Sequence, residues 1–449
     1  MNRFLRIFLF AFLLLFHWKV DAQNHLEKYI IQGLASNESI KQQQFILEKN
    51  LFALQEAKAL FLPAVNFNTT YTLAGGGRTV DFPVGDLLNP VYGTLNKMTG
   101  TNDFPSLQNQ SILLNPHNFY DLKVRTTYPI INAEIAINKK LKSQQYDLQK
   151  TEIDVFKREL VKDIKVAYYQ YLQATEAIKI YENALLLVNE NVRVNASLFS
   201  NQKVNRTALS RSSNEVLKMT SQITNAKQKQ NNAKAYLNFL LNSPLDAEVL
   251  VDKIVAIPIQ NLNIEASLIN REELQKLNTA KAVNESLLSL ANSAKMPKLN
   301  SFLDLGSQGF DFRVNNKTPY YFLGLSLEWN IFSGDKNKAK VSQAIADGKA
   351  LESQTNYIEQ QLNLQLKLAT NAFSMAITDY QTALSQAKTS EDNYRDMLRL
   401  YKEGTVLLIE LLDAQNQLIT AQLQTNISLF DTWIKQTEIE RANASFKLK

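Results

Sequence analysis

The sequence predicts a mainly α-helical chain with a membrane β-barrel portion, built as an internal duplication. Three observations lead there. Glycine and proline are confined to a few places and leave two very long uninterrupted tracts; short segments alternate apolar and polar residues; and the same succession of features occurs twice at nearly constant spacing.

At the start, Arg3 and Arg6 precede an apolar run from Ile7 to Phe16 and a Val20-Asp21-Ala22 end, the pattern of a secretory signal peptide cleaved after Ala22. Beyond it no apolar stretch approaches the roughly 20 residues of a transmembrane helix, so membrane insertion must use strands. The chain has no cysteine, which removes disulfides, thiol nucleophiles, thiolate metal sites and a lipid-bearing cysteine together. His17 leaves with the signal, and His25 and His117 stand far apart, outside any metal-ligand cluster. The net charge of +6 falls to +4 once Arg3, Arg6, Lys19 and Asp21 are removed, three positive charges against one negative. That charge is spread along the chain rather than gathered in a stripe, which argues against a nucleic-acid partner. No nucleophile, metal cluster or phosphate loop is present, so no enzyme, cofactor or metal is expected.

The first strand signals are Val65, Phe67, Thr69, Tyr71 and Leu73 alternating with Asn66, Asn68, Thr70 and Thr72, then Tyr120, Leu122, Val124, Thr126 and Tyr128 alternating with Asp121, Lys123, Arg125 and Thr127. A second pair comprises Leu299, Ser301, Leu303 and Leu305, then Tyr321, Leu323, Leu325, Leu327 and Trp329. Strands of about ten residues with one polar face and aromatic ends are the pattern of a transmembrane barrel. Between the pairs, no glycine or proline occurs from Pro129 to Pro244, and after Pro319 only Gly324, Gly334, Gly348 and Gly404 interrupt the chain. Leu366, Ala369, Phe373, Ala376, Tyr380 and Ala383 continue to Tyr401 as a narrow heptad seam, and Ile153, Leu160, Ile164, Ala167 and Tyr171 begin another. A helix from about 337 to 401 is a rod of roughly 100 Å.

Pro63 and Pro297, each closing a helical segment and opening a strand, are 234 residues apart; Tyr128 and Trp329 are 201 apart, and Phe199 and Tyr401 are 202 apart. The difference of 33 between 234 and 201 locates an insertion in the first copy, from Gly75 to about Asn118, which reads as a long loop because of Gly75-Gly76-Gly77, Pro83, Pro90, Pro105 and Pro116. Four strands cannot close a barrel, and open edges are not tolerated in lipid, so the chain is expected to be an obligate oligomer.

Helix, Ala-x-Ala-x-x-x-Pro, strand, loop, strand, glycine turn and long helix, twice behind a signal peptide, resembles the TolC-type outer-membrane efflux channels. The sharpest segments are Leu327-Glu328-Trp329-Asn330-Ile331-Phe332-Ser333-Gly334 and Tyr401-Lys402-Glu403-Gly404-Thr405-Val406 through Ala414. The resemblance implies a homotrimer with a twelve-stranded barrel, a long coiled-coil tunnel of twelve helices and an equatorial belt. It implies the outer membrane of a Gram-negative bacterium, extension into the periplasm, and contact with outer-membrane lipid. Its partners would be a periplasmic adaptor (membrane fusion protein) and an inner-membrane RND or ABC-type transporter. The expected layout is a signal peptide at 1–22; a first repeat at 23–242, with strands about 64–74 and 119–131 and tunnel helices about 135–200 and 206–242; and an equatorial segment at 243–265. A second repeat follows at 266–430, with strands about 298–306 and 320–332 and helices about 336–402 and 406–430, then a C-terminal equatorial tail at 431–449.

The resemblance also assigns sites. The turn around Gly404 is the periplasmic tip, where Tyr401, Gly404, Thr405, Val406, Gln202, Lys203, Arg206 and Thr207 form the gate and adaptor-docking region. Glu410 and Asp413, three apart on one helix face, would stack as acidic rings that favour cations at the entrance. Pro63, Pro297, Trp329, Phe332 and Gly334 mark the barrel-to-tunnel junction. In the family a tyrosine at the tip joins an aspartate and an arginine in a latch; here Tyr401 is kept, but Val406 and Ala208 stand at the other positions, leaving Lys203 or Arg206 as replacements. The competing reading is a periplasmic coiled-coil adaptor or scaffold, which the doubled hairpins and strand pairs disfavour.

Overall fold

The structure is a computed structural model that describes residues 25–252, 256–258, 271–446 and 448. The expected signal peptide, and residues 253–255 and 259–265 of the expected equatorial segment, lie outside them. In chain order the elements are α1 (His25–Ser36), α2 (Glu38–Ala59), β1 (Ala64–Thr72), β2 (Thr79–Phe82), α3 (Val84–Thr99), β3 (Gln110–Leu113), β4 (Phe119–Ile131), α4 (Ala133–Ser200), α5 (Arg206–Leu240), α6 (Glu272–Ser293), β5 (Lys298–Phe310), β6 (Pro319–Glu328), α7 (Lys336–Glu403) and α8 (Leu408–Ala442). The fold is mostly helical with a strand portion. No described helix is long and apolar enough to cross a membrane.

Element lengths repeat along the chain. Helices α2 and α6 both have 22 residues, α4 and α7 both 68, and α5 and α8 both 35. From Glu38 to Glu272 is 234 residues and from Arg206 to Leu408 is 202. At 1.5 Å per residue α4 and α7 each rise about 100 Å. The tracts free of glycine and proline carry α4 and α5, and Asn205 starts α5 by accepting a hydrogen bond from the Ala208 amide at 3.0 Å.

The chain forms two compact units. One comprises residues 52–142 and 285–345 and contains an antiparallel sheet in the order β1-β4-β5-β6. Register places Asn66, Arg125, Asp304 and Phe322 in one row, and Asn68, Lys123, Gly306 and Tyr320 in the next. On this polar face Arg125 forks onto Asp304 with two bonds of 2.6 Å, Lys123 reaches Asp121 at 2.9 Å, and the Tyr320 hydroxyl donates to Asp121 at 2.6 Å. Two rings lie against backbone here: a Cβ on Gly324 would sit 2.7 Å from the Phe302 ring, and one on Gly306 would sit 2.7 Å from that of Tyr320. The other face is apolar and exposed, with Val65 at 65%, Phe67 at 68% and Leu323 at 74%. Pro129, which has no N–H to give the ladder, coincides with a register shift between Pro129 and Ile131.

The insertion differs from the loop expected of it. It contains β2 and β3, paired antiparallel, and the 16-residue α3 between them. Its prolines are compatible with order: Pro83 stands at the N-cap of α3, Gly100 ends the helix in the left-handed region at φ 66°, and only Pro90 lies inside.

The second unit comprises residues 1–51, 143–284 and 346–449. Its largest apolar cluster gathers Ile30, Ile40, Leu160, Ile164, Tyr168, Leu237, Leu241 and Phe430 from α1, α2, α4, α5 and α8. Helix α8 continues to Ala442, past the end expected near 430. It has no internal glycine or proline, and the buried Arg271 guanidinium donates to the carbonyls of Arg441 and Ala442 at its C-terminus, at 2.9 and 2.7 Å. Arg158 pairs with Glu272 and donates to the Phe446 carbonyl at 2.7 Å, and Arg441 bridges Glu159 and Glu273.

Candidate functional site

The two turns linking the long helices to their shorter partners have one geometry. The Lys203 amide bonds the Leu198 carbonyl and the Thr405 amide bonds the Leu400 carbonyl, both across five residues, with Gln202 at φ 58° and Gly404 at φ 79° between them. This is a left-handed helix stop that glycine adopts without strain, and the first copy makes it with glutamine. The Thr405 hydroxyl donates to the Leu400 carbonyl at 2.9 Å. A cleft of about 630 Å³ is lined from both turns by residues including Lys203, Thr207, Arg211, Tyr401, Glu403 and Val406.

Behind the turns Tyr394, Tyr401, Leu411, Ala414 and Leu418 form an apolar cluster joined by Val406, Leu398 and Val194. The Tyr401 hydroxyl enters it and donates to Asn195, which is fully buried. Asn195 in turn donates to the Ser212 hydroxyl at 2.8 Å and the Asn191 carbonyl at 2.9 Å, while Asn191 donates to Gln415. The Asn191 amide also faces the Tyr394 hydroxyl. Helices α4, α5, α7 and α8 thus meet in one layer of buried polar side chains. Burial pushes both tyrosine hydroxyls up, Tyr394 and Tyr401 alike, so both stay neutral near pH 7 and Tyr401 keeps its proton to donate.

Of the expected tip residues, Lys203, Thr207, Tyr401, Gly404 and Val406 line one cleft. The partner of Tyr401 is Asn195 rather than Lys203 or Arg206, and Val406 packs into the apolar cluster. Glu410 and Asp413 are both exposed, on the face opposite buried Leu411, Leu412, Ala414 and Gln415. Glu410 accepts from the Leu407 amide at 2.8 Å, satisfying one free donor at the start of α8, and Asp413 accepts from Gln417 at 2.7 Å. Asn191, Asn195, Ser212 and Gln415 escaped sequence reasoning. The signal was available: the seam of α4 continues at three-and-four spacing through Val188, Asn191 and Asn195, placing two amides in an apolar register.

In the sheet-bearing unit, Pro63 and Pro297 immediately precede β1 and β5, and the Trp329 indole donates to the Lys295 carbonyl at 3.0 Å. Trp329 and Phe332 are exposed, and Gly334 takes φ 59° just before α7. Lys298 pairs with Glu134 across the base of the strands.

Residues 263–432 match the family described as outer membrane efflux proteins. Comparison with curated protein sequences finds no match. Among solved structures the chain is similar to CusC, with a TM-score of 0.77 and 13% identity over 94% of this chain and 92% of that one. It is similar to the CmeC outer membrane channel of Campylobacter jejuni, at 0.75 and 15% over 96% and 88%. The MtrE outer membrane channel of Neisseria gonorrhoeae gives 0.73 and 15% over 93% and 88%. At these identities the likeness to solved structures is one of fold. Residues 263–432 thus resemble the outer membrane efflux protein family, and over nearly all its length the chain has the fold of these outer-membrane channels.

Proposed function

We propose that this chain is the outer-membrane duct of an export machine. Three copies would close a twelve-stranded barrel and conduct cargo passively from an inner-membrane transporter and a periplasmic adaptor. The sheet carries the reading. Its apolar face is exposed, and neither β1 nor β6 has a second strand beside it among the described residues. Water tolerates neither a wide apolar face nor a bare ladder for long, and lipid tolerates no open edge at all. In the antiparallel order β1-β4-β5-β6 the two free edges run in opposite directions, so β6 of one copy is antiparallel to β1 of the next, and three such sheets close a ring. Inside such a ring the pairing of Arg125 with Asp304 and of Lys123 with Asp121 neutralises the wall charge locally.

The tip cleft, with cationic Lys203 and Arg211 beside Glu403, suits a docking helical hairpin of the adaptor, and Glu410 with Asp413 supplies the entrance charge. The test is membrane fractionation followed by electrophoresis with and without heating, then conductance in planar bilayers. A detergent-extracted, heat-labile trimer that conducts ions is expected. A soluble monomer refutes the proposal.

A further inference from the structure

Helix α3 presents a second interaction surface. Val84, Leu88, Val91, Leu95 and Met98 follow four-three-four-three spacing, a two-heptad seam with Leu88 and Leu95 at one core position and Val84, Val91 and Met98 at the other. The seam is open along one side: Val91 is 51% exposed and Met98 80%, with Leu87 beside them at 69%, while Val84 and Leu95 are half-buried. The helix is nonetheless held firmly on a different face. The Asn89 side chain makes two bonds to the backbone of Leu107, at 2.9 and 2.8 Å, and Asn96 makes two to that of Phe104, at 2.9 and 3.2 Å. The spacing explains the fit: seven residues of helix rise about 10 Å, and so do three residues of extended chain. Gly85 allows the return segment to close in, since a Cβ there would lie 2.5 Å from the Leu107 carbonyl, and Tyr92 packs on Phe104 at 5.5 Å between centroids. An ordered helix so clasped, with its apolar seam left in water, is built for a partner.

We infer that this partner is α3 of the neighbouring copies, so that the insertions of an oligomer join through a short coiled coil. The inference rests on the proposed trimer. Three observations select a second copy over other occupants. The arm carrying α3 leaves β1, an edge strand that another copy must cover, which places the copies' arms at high effective concentration. Leucine alternating with β-branched valine, with leucine at the position following a four-residue step, is the arrangement that favours more than two strands. The charged residues Asp86 and Lys97 both lie off the seam, and the helix lacks the basic face that holds a helix on a membrane surface. Such a bundle forms on the oligomer axis, along which cargo leaves, and so guards the outer mouth.

A chain without cysteine permits a direct test. Val91→Cys, and separately Leu88→Cys, are introduced into the full chain, oxidised in whole cells, extracted, and run without reductant both unheated and boiled. Lys97→Cys, off the seam, is the control. The expected result is a heat-labile trimer from every variant, and after boiling a covalent dimer severalfold stronger for the seam positions than for Lys97→Cys. Trimers with no excess of covalent dimer at either seam position overturn the inference while leaving the duct reading intact. Absence of trimers from the parent chain removes both.

Discussion

Replacing Tyr401 by phenylalanine removes one oxygen from the buried layer and leaves the rest of the ring in its apolar cluster. The Asn195 side-chain oxygen then has lost its donor at a fully buried position. An unsatisfied buried acceptor costs about 1–3 kcal/mol. If the entrance widens by drawing α7 and α8 away from α4 and α5, water reaches Asn195 in the wide form, and the cost falls on the narrow form alone. The balance between the two should therefore shift about 5- to 150-fold towards the wide form. The assay is single-channel recording of Tyr401→Phe against the parent, with the heat stability of the trimer measured in parallel. The expected outcome is a larger open fraction or conductance from trimers of near-parent stability. Unchanged conductance, or trimers that dissociate before any change in conductance, would show that the layer holds the subunit together rather than holding the entrance narrow.

Glu410 and Asp413 share an exposed face at the start of α8, so Glu410→Ala with Asp413→Ala should abolish cation preference in reversal-potential measurements; a preserved preference refutes the entrance role. Gln202 sits in the left-handed region at φ 58°, so Gln202→Gly should relieve strain and stabilise by up to about 1 kcal/mol, read as a raised midpoint in thermal unfolding. In the unit containing the C-terminal part of α8, burial alone would raise the Glu273 and Glu159 carboxyls. Arg441 helped by Arg271 outweighs burial at Glu273, Lys162 helped by Arg441 does so at Glu159, and both carboxyls are held below the ordinary glutamate range. The folded values are lowered, so their contribution is complete above the unfolded value near 4.5 and is lost as pH falls through the folded values. Thermal midpoints should fall on acidification below about pH 4.5, and Arg441→Met should flatten that dependence; a pH-independent midpoint between 3 and 5 would contradict it.

The long helices and the four paired strands were legible because their signals are local. The absence of glycine and proline, heptad spacing and strict alternation each act within a few residues. Their repetition at offsets of 234 and 202 let one copy interpret the other. The insertion was misread for the same reason: its order comes from Asn89 and Asn96 gripping backbone many residues away, a long-range contact that composition does not register, while its prolines counted towards a loop. At the tip, the family resemblance pointed to Tyr401 and to a charged partner close to the turn. The partner is an amide on α4, two turns of helix away from that turn, and only the continuation of the α4 seam through Asn191 and Asn195 hinted that polar groups would be buried there. Arg271, which closes α8 by bonding its last carbonyls, carried no sequence signal at all.

The rings lying over Gly306 and Gly324 would bear on the calibre of the proposed barrel. A phenyl or phenol group standing upright from a strand projects several ångströms into the bore, whereas Phe302 and Tyr320 recline against the neighbouring strand because no Cβ is there to lift them. In a closed ring each would occur three times, so upright rings would throttle the passage at two levels. With these two rings flat, they would narrow such a ring little, and strand number and tilt would set its diameter.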